Sequence, residues 1–382
     1  MPKEKKQGQF LVHAIYFGYF CPYHCFNLGF MSRLNHHLVI MAGGAGDRFW
    51  PVSTAETPKQ FVDVLGTGRT LIQMTLDRFG GLFEPDRVWV VTHERYAGLV
   101  RAQLPEVPAD HVLLEPCSRG TAPCIAYVSW CIKMADPKAN VVVTPADHLV
   151  TDVEAFKHVI GNGLTFTSET DAILTVGTKP MRPETRYGYI QADLSSNSAR
   201  NKGVFRVDQF HEKPDLATAT RYIQEGNYYW NTGIFIWSVE TIVNALRIYA
   251  PRINRIFERQ KDVLDTPEGR EAVAGVYADC EGISLDHAVL EKAEEFFVCP
   301  ASFGWSDLGA WSSLLLDAPH DLYGNAVVGK DVKLVDCRNC MVHTSQERKV
   351  VLQGLDNCIV AERDGVLLVC QLSEEQRIAQ FI

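Results

Sequence analysis

Two acidic and two basic side chains stand out as groups that could do chemistry together. Asp147 lies in Thr144-Pro145-Ala146-Asp147-His148, directly after a hydrophobic run of strand length; Asp307 lies in Phe303-Gly304-Trp305-Ser306-Asp307-Leu308-Gly309. A carboxylate after a strand can hold Mg2+, a hard cation that takes oxygen ligands and phosphate oxygens. Asp307 has a plainer reading as the N-cap of a helix over residues 308–315. His148 reads as a hydrogen-bonded structural histidine rather than a ligand. Of the basic pair, Arg48 lies in Val39-Ile40-Met41-Ala42-Gly43-Gly44-Ala45-Gly46-Asp47-Arg48-Phe49-Trp50-Pro51 and Lys59 in Thr57-Pro58-Lys59-Gln60-Phe61, on either side of a loop. Gly43, Gly44 and Gly46 permit φ > 0 and close approach of a ligand, and successive backbone N–H groups in such a turn form an anion-binding concavity. With two cations beside it, the turn reads as a cradle for a nucleoside triphosphate; alone it would be only a tight turn.

Two familiar phosphate motifs do not fit. No Lys-Ser or Lys-Thr follows a glycine as a P-loop requires, and Gly44-Ala45-Gly46-Asp47-Arg48-Phe49 ends in a Phe that would obstruct the helix–strand packing of a dinucleotide fold. Further along, Glu212 and Lys213 in Phe210-His211-Glu212-Lys213-Pro214 read by themselves as a surface charge pair. Gly188 in Tyr187-Gly188-Tyr189 and Asn231 in Trp230-Asn231-Thr232-Gly233 each read as a turn. Glu115-Pro116-Cys117-Ser118-Arg119-Gly120-Thr121 reads as a strand-to-helix turn with Thr121 as N-cap. Cys337-x-x-Cys340 lacks a second pair at zinc spacing.

The elements that must position these groups alternate. Strands are expected at residues 38–42, 87–92, 111–115, 140–144 and 172–176, with helices at 70–79, 96–103, 121–133 and 153–166. That alternation predicts an α/β fold with a parallel sheet covered on both faces and a ligand outside the carboxyl ends of the strands. Glu115, Asp147 and the glycine turn all fall at such ends. Residues 181–315 mix strands (187–192, 204–210, 231–237) with helices (216–225, 239–249, 251–263, 285–292) and no linker separates them from the first part. From about residue 319, short strands recur at close spacing, as in a small solenoid.

With 382 residues, 46% hydrophobic and 22% charged, the chain has enough for a sizeable core. A net charge of −9 argues against nucleic acid as the main partner. Eleven scattered cysteines suggest reduced thiols in the cytoplasm. Residues 1–35 are expected to be an extension, disordered or a misassigned start. Lys3 to Lys6 precede an apolar run at 10–20, but no small-x-small cleavage site follows. The run is too short to span a bilayer, so no membrane partner is expected. Met31 is expected to be the natural start, with the residues before it dispensable.

G-G-x-G-x-R followed by P-K resembles the signature of the sugar-1-phosphate nucleotidyltransferases. Trp50-Pro51-Val52-Ser53, Pro58-Lys59-Gln60-Phe61 and Glu115-Pro116-x-x-Arg119-Gly-Thr121-Ala-Pro resemble its mannose-1-phosphate guanylyltransferase branch. The resemblance runs over about 36–382; Phe49 and Thr54 depart from the residues frequent there. It implies a Rossmann-like, GT-A-like mixed sheet with helices on both faces at 36–318, and a small left-handed β-helix at 319–382, often used for dimerisation. It implies GTP and mannose 1-phosphate as substrates, GDP-mannose and pyrophosphate as products, and Mg2+ on Asp147 and Asp307. Arg48 and Lys59 would stabilise the departing pyrophosphate. Gly43, Gly44, Gly46, Glu115, Pro116, Arg119 and Thr121 would bind the nucleotide. Gly188, Glu212, Lys213 and Asn231 would bind the sugar phosphate. The segment Ser284-Leu285-Asp286-His287-Ala288-Val289-Leu290-Glu291-Lys292 resembles another family string near the sugar site, with no role assigned. Rival expectations are another sugar 1-phosphate, or a catalytically silent nucleotide-sugar sensor. Two further expectations follow: the strands after residue 320 carry self-association apart from the chemistry, and Asn at position 147 or 307 costs little stability, because an unfilled carboxylate pair repels itself.

Overall fold

The computed structural model describes residues 35–44, 46–196, 203–264, 266–345 and 348–381; the expectations for residues 1–34 lie outside them. The apolar run after Asn35 forms β1 (His36–Met41), and its alternate side chains enter different layers. Val39 joins the core on one face of the sheet, and Leu38 and Ile40 join the core on the other. Both faces are therefore buried, which explains why this strand reads as a continuous hydrophobic run rather than an alternating one.

Around it lie β2 (Val88–His93), β3 (Val112–Glu115) and β4 (Asn140–Pro145), all parallel, in the order β3-β2-β1-β4. The crossovers are α1 (Leu71–Arg78), α2 (Ala97–Gln103) and α3 (Thr121–Ala135). A two-residue β5 (Leu149–Val150) and α4 (Val153–Ser168) follow. Here the expected parallel pattern stops. β6 (Ile173–Thr178), β7 (Tyr189–Asp193), β8 (Phe205–His211), β9 (Tyr228–Ser238) and β10 (Phe296–Ala301) extend the sheet in the order β4-β9-β6-β10-β8-β7, and β9 runs antiparallel to both β4 and β6. Because β9 also pairs with β7, five strands close on themselves. Eleven-residue β9 can serve both partners because it bends at Gly233, where φ is +71°. The helices α5 (Leu216–Glu225), α6 (Val239–Tyr249), α7 (Pro251–Gln260) and α8 (Pro267–Tyr277) lie in this half. β10 and α8 have no counterpart in the sequence expectations, and the helix expected at 285–292 is a single π turn, Asp286–Leu290.

After β11 (Trp305–Ser306) and α9 (Trp311–Asp317), the chain enters short strands. β12 (Ala326–Val328), β14 (Met341–His343) and β16 (Cys358–Arg363) stack in parallel. So do β13 (Asp331–Val335) and β15 (Lys349–Gln353), and β17 (Val366–Gln371) folds back antiparallel on β16. Asp336, Asn339, Asn357 and Asp364 turn the corners with φ of +51° to +53°; Asn and Asp tolerate that conformation better than other side chains. The stack is not independent of what precedes it. Met341, Ile359 and Leu368 share one apolar cluster with Phe49, Val52 and Trp311. This revises the expectation that assembly can be cut away from chemistry. Each of those buried side chains is worth about 1.5–3 kcal/mol, and their sum rivals the whole stability of a domain. Truncation before Tyr323 is expected to give an unfolded or aggregating chain, checked by circular dichroism and light scattering; a folded, active truncation would contradict the shared core.

Candidate active site

The two halves of the glycine-rich signature touch. Gly46 has φ +57°, and a Cβ there would lie 2.6 Å from the backbone N of Lys59 and 2.9 Å from Cβ of Pro58, so only glycine lets the loop close over that pair. Gln60, buried beneath, donates from Nε2 to the carbonyls of Ala42 (3.1 Å) and Gly44 (2.8 Å) and pins the turn from within. Gly43 sits against Glu115: a Cβ would come within 2.9 Å of its Oε2. Arg48 is exposed on the turn Asp47–Phe49.

Lys59 joins the two aspartates. Its Nζ lies 3.0 Å from Asp147 Oδ2 and donates to the backbone carbonyls of Asp307 (2.7 Å) and Leu308 (3.1 Å). All three ammonium protons are thus used, although the side chain is only 11% exposed. Burial raises the pKa of Asp147, but the Lys59 charge, then His148 and the hydrogen bond from Lys59, outweigh it and hold the carboxyl below its ordinary value. His148 is oriented from behind. The Trp305 indole N–H, which can only donate, reaches His148 Nδ1 at 3.2 Å, so the neutral ring carries its proton on Nε2, 3.7 Å from Asp147 Oδ1. His148 is held as the structural histidine the sequence suggested. Buried Arg78 donates to the His148 carbonyl and, at 3.1 Å, to Thr75 Oγ1.

Asp307 is not a helix cap. The helix after it starts at Trp311, with Ala310 in the N-cap position. Asp307 Oδ1 instead accepts from the Tyr187 hydroxyl (2.7 Å) and from its own turn at Gly309 N (3.0 Å), which leaves Oδ2 free of both. Leu308, at φ +44°, turns both carbonyls towards Lys59.

Tyr187 links this pair to a second group. Its neighbour Gly188 accepts at its carbonyl from Asn231 N (2.8 Å), and a Cβ on Gly188 would lie 3.0 Å from Glu212 Oε2. Asn231 Oδ1 accepts from Thr175 Oγ1 (3.1 Å) and Gly233 N (3.1 Å), while its Nδ2 faces Asp286 Oδ1 at 3.3 Å. Lys213, at φ +45° and 62% exposed, pairs with Glu212 at 2.6 Å. Asp286 is the residue of this group to which the sequence gave no role. Burial first, then the Glu212 charge, pushes its carboxyl up to about 6. Against an unfolded value of about 3.9, the native state binds the extra proton between about pH 4 and 6. Stability therefore falls as pH rises through that window and stays at the lower level above it. Asp286→Asn is expected to remove that dependence and to raise stability at pH 7.5 by about 1–3 kcal/mol, read from denaturation at pH 4.5 and 7.5; unchanged pH dependence would contradict the assignment.

A third group forms at the end of β3. Glu115, buried, accepts from the hydroxyl of Tyr277 in α8, and burial raises its pKa against that hydrogen bond. Arg119 Nη2 donates to the Ala278 carbonyl at 2.8 Å, and Ile283 N to the Arg119 carbonyl at 3.1 Å. Thr121 is not the N-cap of α3. Gly120 occupies that position at φ +78°, and Thr121 Oγ1 accepts from Leu285 N at 2.8 Å. Pro116 opens the turn that α8 thus clamps. An open cleft of about 520 Å³ runs beside Glu212, lined by Phe210, His211, Tyr222, His287 and Glu291; neither Asp147 nor Asp307 lines it.

Within the described residues, no cluster of three or more His, Cys, Asp or Glu side chains could hold a metal ion. That concerns clusters made by the protein alone; the thiols of Cys337 and Cys340 donate to backbone carbonyls inside the strand stack. It leaves room for Mg2+, which is commonly held by one or two carboxylates plus substrate phosphates. No helix among the described residues is long and apolar enough to cross a membrane.

A family model described as Nucleotidyl transferase matches residues 37–322, and the chain belongs to that family of enzymes. The alginate biosynthesis protein AlgA of Pseudomonas syringae pv. tomato is 35% identical over 90% of this chain and 70% of its own length. The mannose-1-phosphate guanylyltransferase of Escherichia coli K12 is 33% identical over 90% of this chain and 74% of its own. A solved structure from Thermus thermophilus, described as a mannose-1-phosphate geranyltransferase, superposes with a TM-score of 0.82 at 29% identity, covering 91% of this chain and 98% of that one. The Escherichia coli relative bears the name to which the motif resemblance pointed, and the chain has the α/β nucleotidyltransferase fold of the Thermus thermophilus structure.

Proposed function

We propose that the chain transfers the guanylyl group of GTP to α-D-mannose 1-phosphate, giving GDP-mannose and pyrophosphate. One observation carries the reading: Lys59 gathers Asp147 and Asp307 beside a glycine turn, and Tyr187 connects that pair to Gly188, Asn231 and Glu212. A phosphate-loving turn and a hydroxyl-reading group so joined suit a reaction between a nucleotide and a sugar phosphate. The sugar phosphate oxygen attacks the α-phosphorus in line, a bond forms there, and the bond to the β-phosphate oxygen breaks to release pyrophosphate. No side-chain nucleophile is required, since positioning and charge carry such transfers.

The chain's own groups divide the work. Gly43, Gly44 and Gly46 would offer backbone N–H groups to the phosphates, and exposed Arg48 would meet the departing pyrophosphate. Lys59 acts first as the charge that holds the aspartates together; the contact with pyrophosphate expected of it would need one of its three bonds to be exchanged. Glu115, Pro116, Arg119 and Thr121 form the turn read as the base site. Lys213 supplies a point charge for the sugar phosphate, while Glu212 and Asn231 meet hydroxyls. Asp147 and the free Oδ2 of Asp307 fit Mg2+ by the chemistry of the donor set, and the ion would neutralise charge on the phosphates.

We read the C-terminal stack as a left-handed β-helix and the exposed Val351, Leu367 and Val369 on it as the face of a homodimer; its free thiols suit the cytoplasm. The function is tested by offering the purified chain all four nucleoside triphosphates with a panel of sugar 1-phosphates and Mg2+, and identifying products by mass spectrometry. GDP-mannose should dominate. Another nucleotide sugar in excess would overturn the specificity, and no product at all would favour the sensor reading.

A further inference from the structure

Arg48 and Asp307 are each followed directly by a fully buried apolar residue. Phe49 and Leu308 are both 0% exposed, and both belong to the cluster that contains Met341, Ile359, Leu368 and Ile378 of the C-terminal stack. Phe49 packs edge-on against Trp311, with ring centroids 5.0 Å apart, and the turn Asp47–Phe49 touches the 3-10 helix Leu372–Gln380. The two residues that anchor the reacting groups are thus seated in a core that the last strands complete.

Two polar contacts run the same way. Arg363, the last residue of β16, donates from Nη1 to the backbone carbonyl of Val52. Val52 N and Ser53 N both donate to the Phe49 carbonyl (2.7 and 2.9 Å), and Phe49 N donates back to Ser53 Oγ (3.2 Å). The segment 49–53 is therefore a closed unit, and a hold on Val52 is a hold on the residue after Arg48. Glu375 acts on the other loop. α9 has Ala310 at its N-cap, with no side-chain cap of its own, so its first N–H groups need an outside acceptor. Glu375 Oε2 accepts from Ser312 N at 2.9 Å and Oε1 from Ser312 Oγ at 2.7 Å. A carboxylate there also meets the positive end of the helix. This cap fixes the helix that begins four residues after Asp307. It also opposes the cost of Leu308 at φ +44°, a conformation that a non-glycine residue keeps only when its surroundings hold it.

We infer that the C-terminal stack is a positioning element of the active site, in which Arg363 sets the loop carrying Arg48 and Glu375 sets the turn carrying Asp307. The inference rests on the reading of Arg48 and Asp307 as reacting groups. Neither Arg363 nor Glu375 is among the groups proposed to meet substrate. Both act through backbone, so their loss should show as misplacement rather than as missing chemistry, and small misplacements of reacting groups are costly.

The test is amide hydrogen exchange of the full-length free protein with Arg363→Met and Glu375→Ala, alongside steady-state kinetics with GTP and mannose 1-phosphate. Exchange should rise about fivefold or more at residues 48–53 in Arg363→Met and at 308–314 in Glu375→Ala, with the rest of the chain unchanged. Arg363→Met should raise KM for GTP about tenfold and leave KM for the sugar phosphate alone. Glu375→Ala should lower kcat about tenfold, and Glu375→Gln, which keeps one acceptor, should recover most of it. If exchange in both loops matches wild type, the inference is wrong. If exchange rises while kinetics do not change, or if raising protein concentration restores the rate through assembly, it is also wrong. Should a variant fail to fold, Arg363→Lys and Glu375→Gln carry the same comparison. Wild-type protein without transferase activity would overturn the proposed function, while the exchange data would still decide whether the loops are braced.

Discussion

Asp307→Asn should lower kcat and kcat/KM together by about 10²–10³, the scale of losing one preorganised charge or donor at a reacting phosphate. The geometry makes this substitution unusually clean. Asn keeps an oxygen where Oδ1 accepts from Tyr187 and Gly309 N, and Lys59 binds the backbone carbonyl of residue 307, not its side chain. What disappears is the negative charge at the free oxygen. Stability should therefore change by less than about 1 kcal/mol, as expected from the sequence for this position. Steady-state kinetics and thermal unfolding check both halves. Near-normal turnover would reduce Asp307 to the residue that closes its own turn, and the two-carboxylate mechanism would fail with it.

Lys59→Met should do more damage, to stability as well as rate. The substitution removes three donors at once and leaves the Asp147 carboxylate without its counter-charge. Breaking a fully buried pair costs about 3–5 kcal/mol; with the Asp147 side chain 29% exposed, we expect about 2 kcal/mol after solvent screening. The pH dependence supplies the sign. The Asp147 pKa is depressed in the folded protein despite burial, chiefly by Lys59. Its contribution is therefore present above the unfolded value of about 3.9 and is lost as pH falls through the folded value. Without Lys59, burial is opposed only by His148 and a backbone hydrogen bond, so the pKa rises and Asp147 favours the native state less at neutral pH than it does beside Lys59. Urea unfolding at pH 5 and 7.5 should show the variant's deficit growing towards neutrality; a constant deficit would contradict the pairing. The same pairing corrects the expectation for Asp147→Asn. It leaves a nearly buried ammonium with two carbonyls and no counter-charge, at a cost of about 1–3 kcal/mol.

The groups that sequence made legible are those whose neighbours in the chain are also their neighbours in space. The glycine turn and Pro58-Lys59 lie close enough in sequence to be read as one loop, and Asp147 and Glu115 were placed by the rule that ligands gather at strand ends. The helices α1 to α7 were legible from their apolar spacing and their ends. In the other half the strands at 187–192, 204–210 and 231–237 were legible but their antiparallel pairing was not, because a buried strand reads alike whichever way its neighbour runs; only the resemblance implied a mixed sheet. Tyr277 acts across the fold on Glu115 and no local pattern marks it, whereas Asp286, which faces Asn231, lies in the 284–292 string that the resemblance placed near the sugar site without a role. The stack reads only as short strands at close spacing, because its coils differ in length: Ala326 pairs with Met341, and Met341 with Ile359. That Lys59 would spend all its protons on the aspartate loops could not be read from a pattern of residue types.

The central claim is that this site moves a nucleotidyl group directly from one phosphate to another. The measurement is the configuration of the product made from one diastereomer of the α-thio analogue of GTP and mannose 1-phosphate, assigned by phosphorus NMR. A single in-line attack inverts the α-phosphorus, and inversion is the result expected here. Retention would mean two displacements through a nucleotidyl group held covalently on the protein, and would contradict a site built only to position and neutralise.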